Sequence, residues 1–164
     1  MIKAIAAIDK NGLMGNNFEL PWKTRTDTNW DLQNFKKLTT GNIVFMGYNT
    51  YKSLQNPLQN RLNVVEVNRP LSETLKAGFQ TTPSLEIFLT TNKELLCTRD
   101  LFIIGGSKTF KKYAGYIEEL ILTEFFFSEK GNIYFPSEIL QNFNACKQIG
   151  KYSNGNIKIF FNRN

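Results

Sequence analysis

Histidine is absent from this chain, and cysteine nearly so: the two present, Cys97 and Cys146, lie far apart and outside any C-x-x-C spacing. Without histidines or clustered thiols there is no zinc-ligand set, and no metal site is expected. No disulfide framework can be read from so few cysteines either. Long apolar runs are also missing. The opening stretch Ile2 to Ile8 is interrupted by Lys3 and closed by Asp9, too short and too charged for the apolar region of a signal peptide. Nothing reaches membrane-spanning length, so the expectation is a reduced, cytoplasmic, soluble protein with no membrane partner.

What is present suits one globular domain spanning residues 1–164, with 41% hydrophobic and 21% charged residues. A chain of this size buries roughly 70% of its unfolded surface and needs no covalent support. The net charge of +6 favours an anionic partner, either a phosphate-bearing cofactor, a polycarboxylate or nucleic acid. The cations are scattered, however; the nearest approach to a patch is Lys108, Lys111 and Lys112, and no RNA-binding motif accompanies it.

Apolar periodicity predicts a strand over Ile2–Ile8, then a long glycine-containing loop from Asn11 to Pro21. From Asp27 or Thr28 to Thr40 the period turns helical, and Gly41 ends it. Strands follow at Gly41–Met46, Leu62–Val67, Asp100–Ile104 and Glu119–Phe126, alternating with helices at Tyr48–Leu54, Pro83–Thr91 and Ser107–Tyr113. This rhythm predicts a largely parallel sheet. Ala145–Tyr152 and Asn156–Phe161, around Ser153-Asn-Gly155, read as an antiparallel hairpin.

Three features carry chemistry. Ile103-Ile-Gly-Gly-Ser-Lys108 and Phe45-Met-Gly47 each place glycine between a strand and a helix. Such junctions serve either as tight turns or as phosphate cradles beyond the carboxyl ends of a parallel sheet. Asp31 shares its helix stripe with Phe35 and Leu38, which sets a carboxylate on the apolar face. The alternative is a capping box with Thr28 as N-cap. Trp22, after Pro21, is core filling or a platform for a planar ligand, and Arg61 matters only if a carboxylate reaches it.

In order and spacing these segments resemble dihydrofolate reductase along essentially the whole chain. The matching pieces are Leu13-Met-Gly15, Leu20-Pro-Trp22, Asp31-Leu-x-x-Phe35-Lys-x-Leu-Thr39, Met46-Gly47, Thr50, Ser53-Leu54, Pro57-Leu-x-Asn-Arg61-x-Asn63, Ile104-Gly-Gly106, Leu122-Thr123 and Phe135-Pro136. The resemblance implies an α/β fold with a central mixed, mostly parallel eight-stranded sheet, four flanking helices and the C-terminal hairpin. It implies reduction of dihydrofolate to tetrahydrofolate by hydride from NADPH, in support of one-carbon metabolism and thymidylate synthesis.

By the same resemblance Asp31 is the catalytic acid that binds the pterin, Thr123 orients it, and Trp22 closes the mobile loop over the nicotinamide. Ile5, Ala6, Leu32, Phe35, Leu54, Leu58 and Ile104 would line the substrate slot, and Arg61 would hold the glutamate α-carboxylate. Gly105, Gly106, Ser107, Lys108 and Thr109 would cradle the pyrophosphate, with Gly47, Asn49 and Thr50 at the other junction. Ala7, Leu13, Gly15 and Phe110 would lie near the nicotinamide. A monomer without nucleic-acid partners is implied.

The chain departs from the family pattern in three places. It has several more residues between Trp22 and Asp31 than most members, so Asp27 stands at the more usual distance from Pro21. Asp31 alone keeps register with Phe35, Thr39 and Met46, and Asp27 would cap the helix. Tyr48 stands where members commonly carry an arginine for the adenosine 2′-phosphate, and Arg69, with Asn68 beside it, would replace that charge. Asn132 occupies the place of a loop aspartate found in some bacterial members. The alternatives are another pterin or pyrimidine reductase of the same fold, such as the riboflavin-pathway enzyme, or a noncatalytic binding module.

Overall fold

The computed structural model describes residues 1–164. Its elements run β1 (Ile2–Ile8), β2 (Leu13–Gly15), α1 (Asn29–Thr39), β3 (Ile43–Met46), α2 (Tyr48–Ser53), β4 (Leu62–Glu66), β5 (Phe79–Thr82), α3 (Leu85–Thr91), α4 (Lys93–Leu96), β6 (Leu101–Ile103), α5 (Ser107–Lys112), β7 (Glu119–Phe125), β8 (Ile133–Tyr134), β9 (Ala145–Tyr152) and β10 (Gly155–Phe161). Eight strands form one sheet in the order β5-β4-β3-β6-β1-β7-β10-β9. The pairings from β5 to β7 are parallel, and β10 joins β7 and β9 antiparallel. This is the mixed, mostly parallel eight-stranded sheet that the resemblance implies, its parallel part the one the strand-helix rhythm predicts. The short strands β2 and β8 pair apart from it.

Central strands read as continuous apolar runs because both faces are covered: all four residues of β3 are buried. On one face, Leu85 and Phe88 of α3, Phe110 of α5 and Tyr113 just after it pack on Ala4, Phe45, Ile103 and Leu122. On the other, Phe35 and Leu38 of α1 and Tyr51 of α2 pack on Ile5, Val44, Val65, Ile121 and Ile157. Two cores thus sandwich the sheet, with α1 and α2 in the second.

Several boundaries differ from the sequence expectation. β5 is an edge strand whose Phe-Gln-Thr-Thr sequence buries only its first and last residues, so it shows no apolar run. α3 begins at Leu85, not Pro83, because the Ser84 hydroxyl accepts the Ile87 N–H at 3.2 Å and acts as N-cap. With the single turn α4 there are five α-helices rather than four. Gly155 belongs to β10 and not to the hairpin turn, because Tyr152 pairs with Gly155 directly. A Cβ there would lie 2.8 Å from the Glu124 carbonyl and 3.0 Å from the Trp30 ring, so the glycine admits that indole.

Candidate active site

α1 delivers Asp31 to the sheet. The Thr123 hydroxyl on β7 donates a 2.6 Å hydrogen bond to its Oδ1. Half-buried and in no ion pair, Asp31 has its carboxyl raised by burial to about 6, with the Thr123 bond pulling the other way. The capping alternative is not what the structure shows: Thr28 occupies the N-cap position but its side chain makes no capping bond. Asp27 does not cap the helix either. Arg25 grips it through Nε at 2.9 Å and Nη2 at 2.8 Å, which holds its carboxyl below the usual range.

Around Asp31, the side chains of Ile5, Phe35, Leu54, Leu58 and Ile104 fall in one apolar cluster. Leu32, one residue beyond Asp31, is 51% exposed and lies outside that cluster. Ala6 departs from the expected lining: strand alternation turns its side chain into the opposite core. Ala7 sits in register with Thr123.

Arg61 stands beside this cluster, over Phe35. Its Nε donates to the Gln59 carbonyl at 2.9 Å and its Nη1 to the Thr39 hydroxyl at 3.1 Å, with the guanidinium 5.9 Å from the Phe35 ring centre. No carboxylate of the chain pairs with it.

The two glycine junctions meet. β3 and β6 are neighbours, so the Gly47 N–H donates to the Gly105 carbonyl at 2.9 Å. A Cβ on Gly47 would collide with the Thr109 hydroxyl, and one on Gly105 would lie 3.2 Å from the Thr50 hydroxyl. Gly105 has φ +129°, a region that side chains disfavour. Phe110, placed near the nicotinamide by resemblance, is fully buried and packs beneath Gly105. The Ser107 hydroxyl donates to the Tyr134 carbonyl at 2.9 Å, while Lys108 is exposed.

Beside these junctions Tyr48, Lys52, Arg69, Leu71, Ser72 and the acidic Glu73 line a cleft of about 350 Å³. Lys52 Nζ lies 5.4 Å and the Arg69 guanidinium 5.7 Å from the Tyr48 ring centre. Neither cation forms an ion pair. Asn49 and Asn68 are exposed nearby in sequence.

The loop from Asn11 to Trp22 lies against the β7–β8 connection. Leu13 is 1% exposed, Asn132 N–H donates to the Gly15 carbonyl at 3.1 Å, and Asn17 and Asn132 exchange two hydrogen bonds. Trp22 is 3% exposed and meets Phe125 edge-on at 4.9 Å.

A sequence profile described as dihydrofolate reductase matches residues 1–162. The chain belongs to the dihydrofolate reductase family. It is 33% identical over 138 residues to the dihydrofolate reductase of Bacillus subtilis, covering 83% of this chain and 76% of the relative. It is 30% identical over 149 residues to that of Ureaplasma parvum, covering 90% and 89%. In fold it is similar to the Enterococcus faecalis dihydrofolate reductase solved with NADP(H) and RAB-propyl, with a TM-score of 0.84 and 24% identity over 100% of this chain and 97% of that one. Membership makes the protein an oxidoreductase, and its reaction is the one for which the dihydrofolate reductase family is named.

Within this dihydrofolate reductase the sequence reading missed four residues now seen at the site. Thr39 and Asn63 sit in the quoted motifs, yet nothing in the motifs says what they touch. Lys52 follows Tyr48 by four positions, one helical turn, which was the available signal. Arg25 belongs to the extra residues after Trp22, where no pattern could assign a partner.

Proposed function

We propose that this chain reduces dihydrofolate to tetrahydrofolate with NADPH as a single-domain, monomeric, cytoplasmic enzyme, with Asp31 as its acid. The observation that carries the assignment of the acid is the Thr123–Asp31 hydrogen bond on the apolar face of α1, beside Ile5 and Phe35. A carboxyl raised to about 6 exchanges its proton near neutral pH, as a general acid requires. The exposed, free Cys97 and Cys146 accord with a reducing compartment. No helix is long and apolar enough to cross a membrane.

The residues present fit the cofactor. The first-turn N–H groups of α2 and α5 have no intrahelical partners, and Gly47 and Gly105 let the two junctions close against Thr109 and Thr50, which brings both sets of N–H groups together for phosphate. The unpaired Arg69 and Lys52 beside Tyr48 suit a further phosphate on the adenosine ribose. Bound NADPH supplies the hydride. The protein's own residues do the remaining work: the Ile5, Phe35, Leu54 and Leu58 walls hold the pterin ring flat and exclude water. Asp31 accepts hydrogen bonds from the pterin amino group and N3, and supports protonation at N5. Thr123 fixes the carboxylate's orientation, and buried Trp22 closes the loop on that side.

The experiment is loss of NADPH absorbance with dihydrofolate for wild type, Asp31→Asn and Asp27→Asn. Activity abolished only by Asp31→Asn supports the reading. Near-wild-type turnover in folded Asp31→Asn at neutral pH would transfer the role elsewhere, and an inactive wild type that binds NADPH would point to a different reductase.

A further inference from the structure

Thr39 ends α1 and is fully buried. Its hydroxyl hydrogen is committed: Oγ1 donates to the Phe35 carbonyl at 2.7 Å. The oxygen's lone pairs therefore face the other way, where Arg61 Nη1 donates to them at 3.1 Å. One hydroxyl thus joins the wall residue Phe35 to the cation beside it.

The main chain of Arg61 is fixed independently. Asn63 on β4 is 2% exposed; its Oδ1 accepts the Leu58 N–H at 2.9 Å, and its Nδ2 donates to the carbonyls of Leu58 at 2.9 Å and Arg61 at 3.1 Å. Gly41 N–H donates to the Asn60 carbonyl at 2.7 Å, tying the same turn to the end of α1. The turn that carries both Leu58 and Arg61 is bolted to the helix that carries Asp31.

An arginine has five N–H donors, and here only Nε and one Nη1 hydrogen are used, both on neutral oxygens. Burial without a counterion lowers the guanidinium's pKa, so the cation is held partly desolvated with its Nη2 side uncommitted. A lone arginine at a slot mouth would ordinarily sample several rotamers. This one does not have that freedom.

We propose that Thr39 is a positioning residue that sets the Arg61 guanidinium for a bidentate grip on a substrate carboxylate, with Asn63 holding the turn that carries it, and so makes the enzyme select dihydropterins with an acidic tail over those without one. The proposal rests on the assignment of Arg61 to the substrate's α-carboxylate. Preorganisation of this kind acts on binding of the tail and not on the reacting ring, which Asp31 and the slot walls hold.

The test is Thr39→Val, which keeps the shape and removes the hydroxyl, assayed with dihydrofolate and with dihydrobiopterin, whose side chain has no carboxylate. The ratio of kcat/KM for dihydrofolate to that for dihydrobiopterin should fall about tenfold, the scale of one charge-assisted hydrogen bond, and through KM rather than kcat. Thr39→Ser should restore it, and in the Arg61→Ala background Thr39→Val should change the ratio no further. Equal losses on both substrates would make Thr39 merely structural and overturn the proposal. So would an unchanged ratio in Thr39→Val when Arg61→Ala lowers it. If Arg61→Ala itself leaves the ratio unchanged, the assignment of Arg61 falls, and the role of Thr39 falls with it.

Discussion

Thr123 Oγ1 on β7 donates to Asp31 Oδ1 on α1 at 2.6 Å, joining the central sheet to the only carboxylate on the apolar face of that helix. The donor favours the ionised carboxylate, whereas burial, the larger effect, favours the neutral acid. Thr123→Val removes the smaller, opposing influence. The carboxyl should then rise beyond about 6, and the high-pH limb of the kcat/KM profile should move upward. A profile that stays in place or moves down would mean that Thr123 acts on Asp31 by orientation alone.

The same burial has a stability consequence. A carboxyl at about 6 in the folded chain and 3.8 unfolded binds its proton more tightly when folded. Its contribution is fully present below about pH 4 and is lost as pH rises through about 6. One pKa unit is worth about 1.4 kcal/mol, so ionisation opposes folding by at most about 3 kcal/mol at neutral pH. Urea titrations of Asp31→Asn should show that this slope between pH 4 and 7 is gone, with the variant about 1–2 kcal/mol more stable than wild type at pH 7 after the altered Thr123 bond is allowed for. A variant that keeps the wild-type slope would place the titrating group elsewhere.

Much of this was legible in the chain, for local reasons. The 3.6-residue period put Asp31 with Phe35 and Leu38, and apolar runs between glycines placed β3, β6 and β7 within one or two residues. Contacts set by sheet order were not. Gly47 meets Gly105 only because β6 inserts beside β3, and strand order leaves no mark in either segment. Arg69 joins Lys52 at the Tyr48 ring from outside α2, and nothing in the local sequence marks that approach. The Ala6 side chain packs into the opposite core, because a motif match does not say which way a strand residue points.

In the Tyr48 cleft, two cations approach one ring, and Glu73, the one acid in the lining, forms an ion pair with neither. If they replace the arginine common in the family, Arg69→Gln and Lys52→Gln should each weaken binding of adenosine 2′-phosphate and lower kcat/KM for NADPH by about three- to tenfold, with much smaller effects on NADH. The loss should shrink as salt is raised, because both groups face solvent. Parallel losses for NADPH and NADH would assign the cleft to the shape of the nucleotide site rather than to its phosphate.

Both ends of the loop over the site converge on Glu129. Its N–H donates to Asp9 Oδ2 at 2.9 Å, and its Oε1 accepts from Arg25 Nη1 at 3.1 Å. Asp9 is 1% exposed, and its other oxygen accepts the N–H groups of Asn11 at 2.8 Å and Leu13 at 3.0 Å. Asp9→Asn puts an amide against one of these donors and leaves it unpaired, at a cost of about 2 kcal/mol readable as a fall in the urea midpoint. Glu129→Gln keeps the N–H bonded to Asp9 and loses only the charge that faces Arg25, a half-exposed contact, so its urea midpoint should stay near wild type. Its turnover is the informative measurement. If the residues after Trp22 tether the far end of the loop, kcat for Glu129→Gln should change severalfold while stability does not, since loop motion commonly limits turnover. If kcat is unchanged and only Asp9→Asn alters it, control of the loop resides at its first turn, and Arg25 serves only to fix Asp27.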